Sequence, residues 1–371
     1  MNISREITVV DQTIREGMQF RGLVFSIPER KMILDFQEKL KVNISQAGYP
    51  PAHRSEEKAI EELSKHIVRK GYNIRVAGLC RSIVQDVEFM VKVNVHDFHL
   101  HSIITEDALK KRDPIEIFKS LKETIEYIRS NTEKSCIGIS LLDIGKTEPC
   151  LLSDSAQFLS SDLMVDIISL PDTSGILSPD IIEEKVKSIA KVVENKTKLG
   201  IHCHNDMGFA SANTIMGVLN GGSIIEVSAL GIGERNGIGD LFTVGKVLKE
   251  KGFKIDLSIE NKELFREYYE YVNEICFKKT GFSILNYNTP FFGSSSKTHV
   301  AGTHGDNSFG LSEDEEFYVN VLCGKNLVKK VLKRNGIDFD KEDLKRVVKD
   351  IKDMSALKER PLSINEIKNI V

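Results

Sequence analysis

Between residues 7 and 251, short runs rich in β-branched side chains alternate with longer amphipathic stretches, and the alternation repeats eight times. The spacing predicts strands over 7–10, 42–45, 73–76, 98–101, 136–139, 165–170, 198–202 and 224–227. Helices such as 29–40, 55–70, 114–130 and 178–193 fall between them, with Pro28, Pro114 and Pro179 where a first turn tolerates a missing N–H. Strand followed by helix, repeated, signals a parallel sheet with crossover helices. Eight such units in about 250 residues is the count of a (β/α)8 TIM barrel, an α/β fold whose function sits on the loops after the strands.

That placement is testable within the sequence. The unusual polar clusters are 11–17, His99-Leu100-His101, 171–175, His202-Cys203-His204-Asn205-Asp206 and 231–237. All follow predicted strands, from units one, four, six, seven and eight, so a barrel would bring them to one mouth. The barrel domain is expected over 1–258. Residues 259–371 read as a smaller, mainly helical C-terminal lobe, with helices over 259–277, 314–333 and 341–354. A polar loop over 293–310, holding His299 and His304, has the composition of a site-covering segment.

Other classes are disfavoured. With 51 basic and 54 acidic residues the net charge is -3, which gives no electrostatic reason to expect nucleic acid or an anionic membrane as partner. No apolar run is long enough to span a bilayer, and the first residues lack a signal-peptide core, so a cytoplasmic protein is expected. Six cysteines stand singly, without a C-x-x-C pair, and read as reduced thiols. Neither a G-x-G-x-x-G opening a helix after the first strand nor a G-x-x-x-x-G-K-[ST] occurs, which argues against a dinucleotide or P-loop site.

Side chains at i and i+2 of a strand share a face, so His202 and His204 can hold one ion while Cys203 packs behind. Such a pair needs an acidic partner and open positions for substrate, and Glu16 is the candidate. Asp11 could bind the same ion or orient Arg15. The permanent charge and planar fork of Arg15 suit an enolate-type oxyanion. Thr173, after strand six, could orient a small carboxylate through its hydroxyl. Mixed nitrogen and oxygen ligands admit magnesium, manganese, cobalt or zinc.

Three motifs, in order, carry a resemblance. Asp11-x-Thr13-x-Arg15-Glu16-Gly17-x-Gln19, His202-x-His204-Asn205-Asp206-x-Gly208 and Gly231-x-Gly233-Glu234-Arg235-x-Gly237 resemble those of the metal-dependent TIM-barrel family of isopropylmalate, homocitrate and citramalate synthases and hydroxymethylglutaryl-CoA lyases. The stretch Glu234-Arg235-Asn236-Gly237-Ile238, and glutamate at position 16, look most like the synthases. His299-Val300-Ala301-Gly302-Thr303-His304 is similar to a segment that synthases reach across a homodimer to cover the partner's site. No separate regulatory domain is expected.

The resemblance implies a Claisen-type condensation. A divalent metal holds a small 2-oxo acid, a base removes a proton from the methyl of acetyl-CoA, the carbanion attacks, and water hydrolyses the thioester. Glu16, His202 and His204 would bind the metal and Arg15 would stabilise the enolate. Thr173, Gln19 and His101 would contact substrate, Glu234 and Arg235 the acyl-CoA, and His304 would move a proton. The synthases' usual catalytic glutamate after strand five aligns with Leu142, and the arginine that homocitrate synthases use for a distal carboxylate aligns with Gly138. The base is then sought among Asp143, Glu148, His101 and His304. An acyltransferase acting on acetyl-CoA and a 2-oxo acid is the leading expectation. A metal-dependent carbon–carbon lyase or aldolase is second, and a non-catalytic binder of small acids third.

Overall fold

A computed structural model describes residues 5–371 apart from 103, 105–108, 112, 195, 300–315 and 341. Its strands are β1 (Glu6–Asp11), β2 (Ile44–Gly48), β3 (Arg75–Arg81), β4 (Asp97–Ser102), β5 (Cys136–Leu141), β6 (Ile167–Asp172), β7 (Lys198–Cys203) and β8 (Ile224–Val227). Each pairs in parallel with the next, and β8 returns to β1, closing a (β/α)8 TIM barrel. Helices Ile27–Lys39, Arg54–Lys70, Val84–Lys92, Pro114–Asn131, Pro149–Ser161, Pro179–Ala190, Ala210–Leu219 and Leu241–Glu250 follow the strands in turn. Every residue of β2, β6 and β8 is buried, as expected where helices cover a parallel sheet.

Local chemistry sets the helix starts. Ser26 and Glu29 form a capping box, in which each side chain meets the other residue's backbone N–H, and Asp113 and Asp240 accept from the N–H groups of Ile115 and Thr243. Most strands run past their predicted C-terminal ends, β3 to Arg81 rather than residue 76. The polar residues there keep their ladder bonds although their side chains read as loop. One apolar layer inside the barrel is Val10, Ile44, Ala77, Ile167 and Ile224. Gln12, Gln46, His99, His202 and Glu226 are also buried, and that polar group contains the candidate site.

The expected boundary after residue 258 is displaced. The compact units are Met1–Leu285 and Asn286–Val371. Helix Lys262–Thr280 belongs to the first, because its buried stripe of Phe265, Tyr268, Tyr269 and Val272 packs on the barrel. Tyr268 donates to Asp11 at 2.9 Å, Tyr269 to Asp240 at 2.7 Å, and the Phe242 and Phe265 rings meet at 4.9 Å.

The second unit has its own core, drawn from Val319, Leu327, Val331, Leu332, Val347, Ile351 and Ile367. The helix expected over 314–333 is shorter, Lys325–Arg334. Residues 316–317 instead form a strand parallel to Thr298–His299, and Asn320 turns the chain by accepting from Leu322 N–H at 2.8 Å. His304 and most of the loop expected over 293–310 lie outside the described residues. Among the described residues, no helix is long and apolar enough to cross a membrane.

Candidate active site

The barrel mouth holds a cavity of about 530 Å³, lined by residues at or beyond the C-terminal ends of all eight strands. Glu16 comes from the short helix Thr13–Gly17 after β1, and His202 and His204 from the end of β7. Their ligating atoms lie within 4.8 Å of one another. His202 Nε2 stands 3.3 Å from His204 Nε2 and 3.8 Å from Glu16 Oε1. Cys203 is fully buried on the opposite face.

The donor set fits a cation. All three side chains are buried, neither Glu16 oxygen accepts a well-formed hydrogen bond, and two imidazole nitrogens face each other. Buried polar atoms without partners are costly, and one ion among them satisfies all three. Burial alone would raise the Glu16 pKa, but the charge of Arg15 holds it below the usual carboxylate value. His204 is pushed down to about 3 by burial, with His202 next to it adding to the effect. Its imidazole is neutral at pH 7, the form that ligates a metal.

Arg15 forms an ion pair with Glu16 and donates to three amide oxygens: Gln46 Oε1 at 2.6 Å, Gln19 Oε1 at 2.7 Å and Gln12 Oε1 at 3.1 Å. Four acceptors fix the guanidinium plane against the cavity. Thr173 Oγ1 accepts from Asp143 N–H at 3.0 Å, which leaves its own proton to donate. Glu234 lines the cavity, whereas Arg235 does not: it grips Asp206 at 2.8 and 2.9 Å and donates to Thr173 O at 2.6 Å. Gly237 closes this loop at φ 82°, where a Cβ would collide with Gly231 O.

Gln19, His101 and Thr173 all line the cavity. Asp143 and Glu148 do not. Asp143 accepts from Ser174 Oγ at 3.0 Å and lies 3.1 Å from Lys146 Nζ, while Glu148 stands exposed before helix Pro149–Ser161. The side chain of Leu142 occupies that part of the wall. Asp11 reaches neither Arg15 nor the triad, because Thr13 and Tyr268 take its carboxylate. The sequence reading missed Glu226, whose pKa is held at about 2. Burial would raise it, but contact with His202 outweighs that. A lone acid within the apolar run Ile-Ile-Glu-Val was the available signal.

A closed parallel barrel with one carboxylate and two imidazoles converging at its C-terminal mouth belongs to the class of folds whose site could hold a metal ion. Within that class, the HMGL-like family model matches residues 6–267, and the chain belongs to the HMGL-like family. It is 28% identical over 368 residues to a probable 2-isopropylmalate synthase of Archaeoglobus fulgidus, covering 94% of this chain and 69% of that one. It is also 28% identical over 348 residues to a homocitrate synthase of Pyrococcus abyssi, covering 89% and 90%. The HMG-CoA lyase of Brucella melitensis shares the fold, with a TM-score of 0.63 at 17% identity over 73% of this chain and 99% of that one.

Proposed function

We propose that the protein is an acyltransferase that condenses acetyl-CoA with a small 2-oxo acid whose side chain is uncharged, using a divalent metal held by Glu16, His202 and His204. The carrying observation is the polarity of the cavity. Beside the triad and Arg15 the lining combines the apolar Leu79, Leu142, Pro171 and Ala52 with the uncharged Gln46, Ser140, Ser169 and Thr173 and the acids Glu56, Glu226 and Glu234. Arg15 is the only arginine or lysine among the described lining residues, and four of its five donors already have acceptors. A second substrate carboxylate would find no further arginine or lysine among the described lining residues, at a cost of several kcal/mol if buried unpaired. The named synthases among the relatives support the reaction class.

A bound divalent ion would supply Lewis acidity to a 2-oxo carbonyl. The chain's residues do the rest. Thr173 donates its hydroxyl proton to the oxo acid's carboxylate. Arg15 presents a fixed positive charge where an enolate oxygen develops, and little reorganisation accompanies the reaction. His101, at the end of β4, lines the cavity, and burial lowers its pKa, so its neutral imidazole accepts the methyl proton. Glu234, at the rim, faces the acyl-CoA.

The test is free-thiol release from acetyl-CoA against a panel of oxo acids. Pyruvate or a short branched 2-oxo acid should give thiol, and 2-oxoglutarate at least tenfold less at equal concentration. If no oxo acid releases thiol while hydroxyacyl-CoA or 4-hydroxy-2-oxo compounds are cleaved, the protein is a lyase or aldolase instead.

A further inference from the structure

The mechanism above makes no use of Glu226, although its carboxylate is set directly behind a metal-site histidine. Register pairing puts it beside His202 on the neighbouring strand, and Glu226 Oε2 lies 3.5 Å from His202 Nδ1. That ring nitrogen is not the one facing Glu16 and His204. The same oxygen accepts from Gln12 Nε2 at 2.8 Å. Gln12 has no freedom to flip, because its Oε1 accepts from Arg15, which only donates, and its Nε2 therefore meets the carboxylate. Gly200, two residues before His202 on β7, leaves room for the group: a Cβ there would come within 2.8 Å of Glu226 Oε1. Neither ring's Nδ1 makes a well-formed hydrogen bond, but that of His202 has the Glu226 carboxylate 3.5 Å away.

A neutral imidazole carries one N–H, and an acceptor beside one ring nitrogen draws the proton there. We infer that Glu226 is a positioning residue for the metal site. It holds the His202 proton on Nδ1, so that Nε2 turns its lone pair toward Glu16 and His204, and its negative charge makes that imidazole a stronger donor to a divalent cation. Gln12 couples the carboxylate to Arg15, so the oxyanion end and the metal end share one hydrogen-bonded chain. The inference rests on the metal reading above.

The test is titration of cobalt(II) into the metal-free full-length protein, followed by visible absorption, for the native chain and Glu226→Gln. The amide keeps the shape and removes the charge. Weakening of the dissociation constant by about 10- to 100-fold is expected, whatever the change in melting temperature. A purely structural Glu226 would instead leave cobalt affinity within twofold of native, overturning the inference. Gly200→Ala, which displaces the carboxylate without removing it, should weaken cobalt binding in the same direction. Imidazole ¹⁵N shifts of the metal-free native protein provide a reading independent of the ion. A proton on His202 Nδ1 is expected, and one on Nε2 overturns the inference. If the native chain takes up no cobalt, the metal reading falls, and the tautomer still decides whether Glu226 orients His202.

Discussion

Arg15 is held by acceptors that a lysine could not serve together, since a guanidinium offers five donors in a plane and an ammonium three on a point charge. Arg15→Lys should lower kcat/KM for thiol release by about 10²- to 10³-fold while the metal content stays at the native level. A rise in the oxo acid's KM at unchanged kcat would show that Arg15 only binds substrate. His99 carries a stability prediction. Burial, chiefly, drops its pKa to about 4 against an ordinary 6.5, and its Nδ1 meets Gln46 Nε2 at 2.8 Å. The unfolded chain binds this proton below pH 6.5 and the folded chain does not until about pH 4. His99 therefore costs nothing above pH 6.5, and its cost grows to about 3 kcal/mol as the pH falls to 4. Asp97, raised to about 6 by burial, acts in the opposite sense: its stability is full below 3.8 and is lost as the pH rises through 6. The difference in unfolding free energy between the native chain and His99→Gln isolates the histidine. It should favour the variant increasingly toward pH 4, and a difference independent of pH would mean that His99 titrates normally.

At the scale of elements, the ends of strands carried most of the legible information. The convergence of the three candidate ligands could be read because alternation along β7 and its extension turns His202 and His204 to one face, and because Glu16 stands in the segment after β1. Glu226 could not be read that way, since inward and outward positions are equally apolar in a fully buried strand and one acid sets no period. Helix Lys262–Thr280 was legible as a helix but not as part of the barrel, because its many charged residues hide a buried stripe. Tyr268 makes the dependence measurable. Tyr268→Phe leaves one Asp11 oxygen without its donor inside the barrel, and an unmet buried acceptor costs about 1 to 3 kcal/mol. The melting temperature should fall by a few degrees while cobalt affinity holds, because Asp11 does not touch the triad. An unchanged melting temperature would mean that the helix contributes through apolar contact alone.

For the whole molecule, eight repeats were enough to give the barrel, since closure brings loops from distant parts of the sequence to one mouth. What the repeats do not encode is where the barrel unit ends. The break in alternation near residue 251 suggested 258, whereas packing extends the unit to Leu285. The two boundaries predict different fragments. Ending the chain at residue 258 removes Phe265, Tyr268, Tyr269 and Val272, each at 0% exposure. Four such side chains represent about 6 to 12 kcal/mol of burial at about 1.5 to 3 each, comparable with the whole stability of a domain, about 5 to 15. A fragment ending at residue 258 should therefore show no cooperative melt. A fragment ending at Leu285 keeps the stripe and the triad, and it should melt cooperatively and bind cobalt within about threefold of the full chain. Thiol release separates the remaining role. If turnover depends on residues after 285, the Leu285 fragment binds metal yet releases thiol at least a hundredfold more slowly. Full activity in that fragment would assign every catalytic group to the barrel.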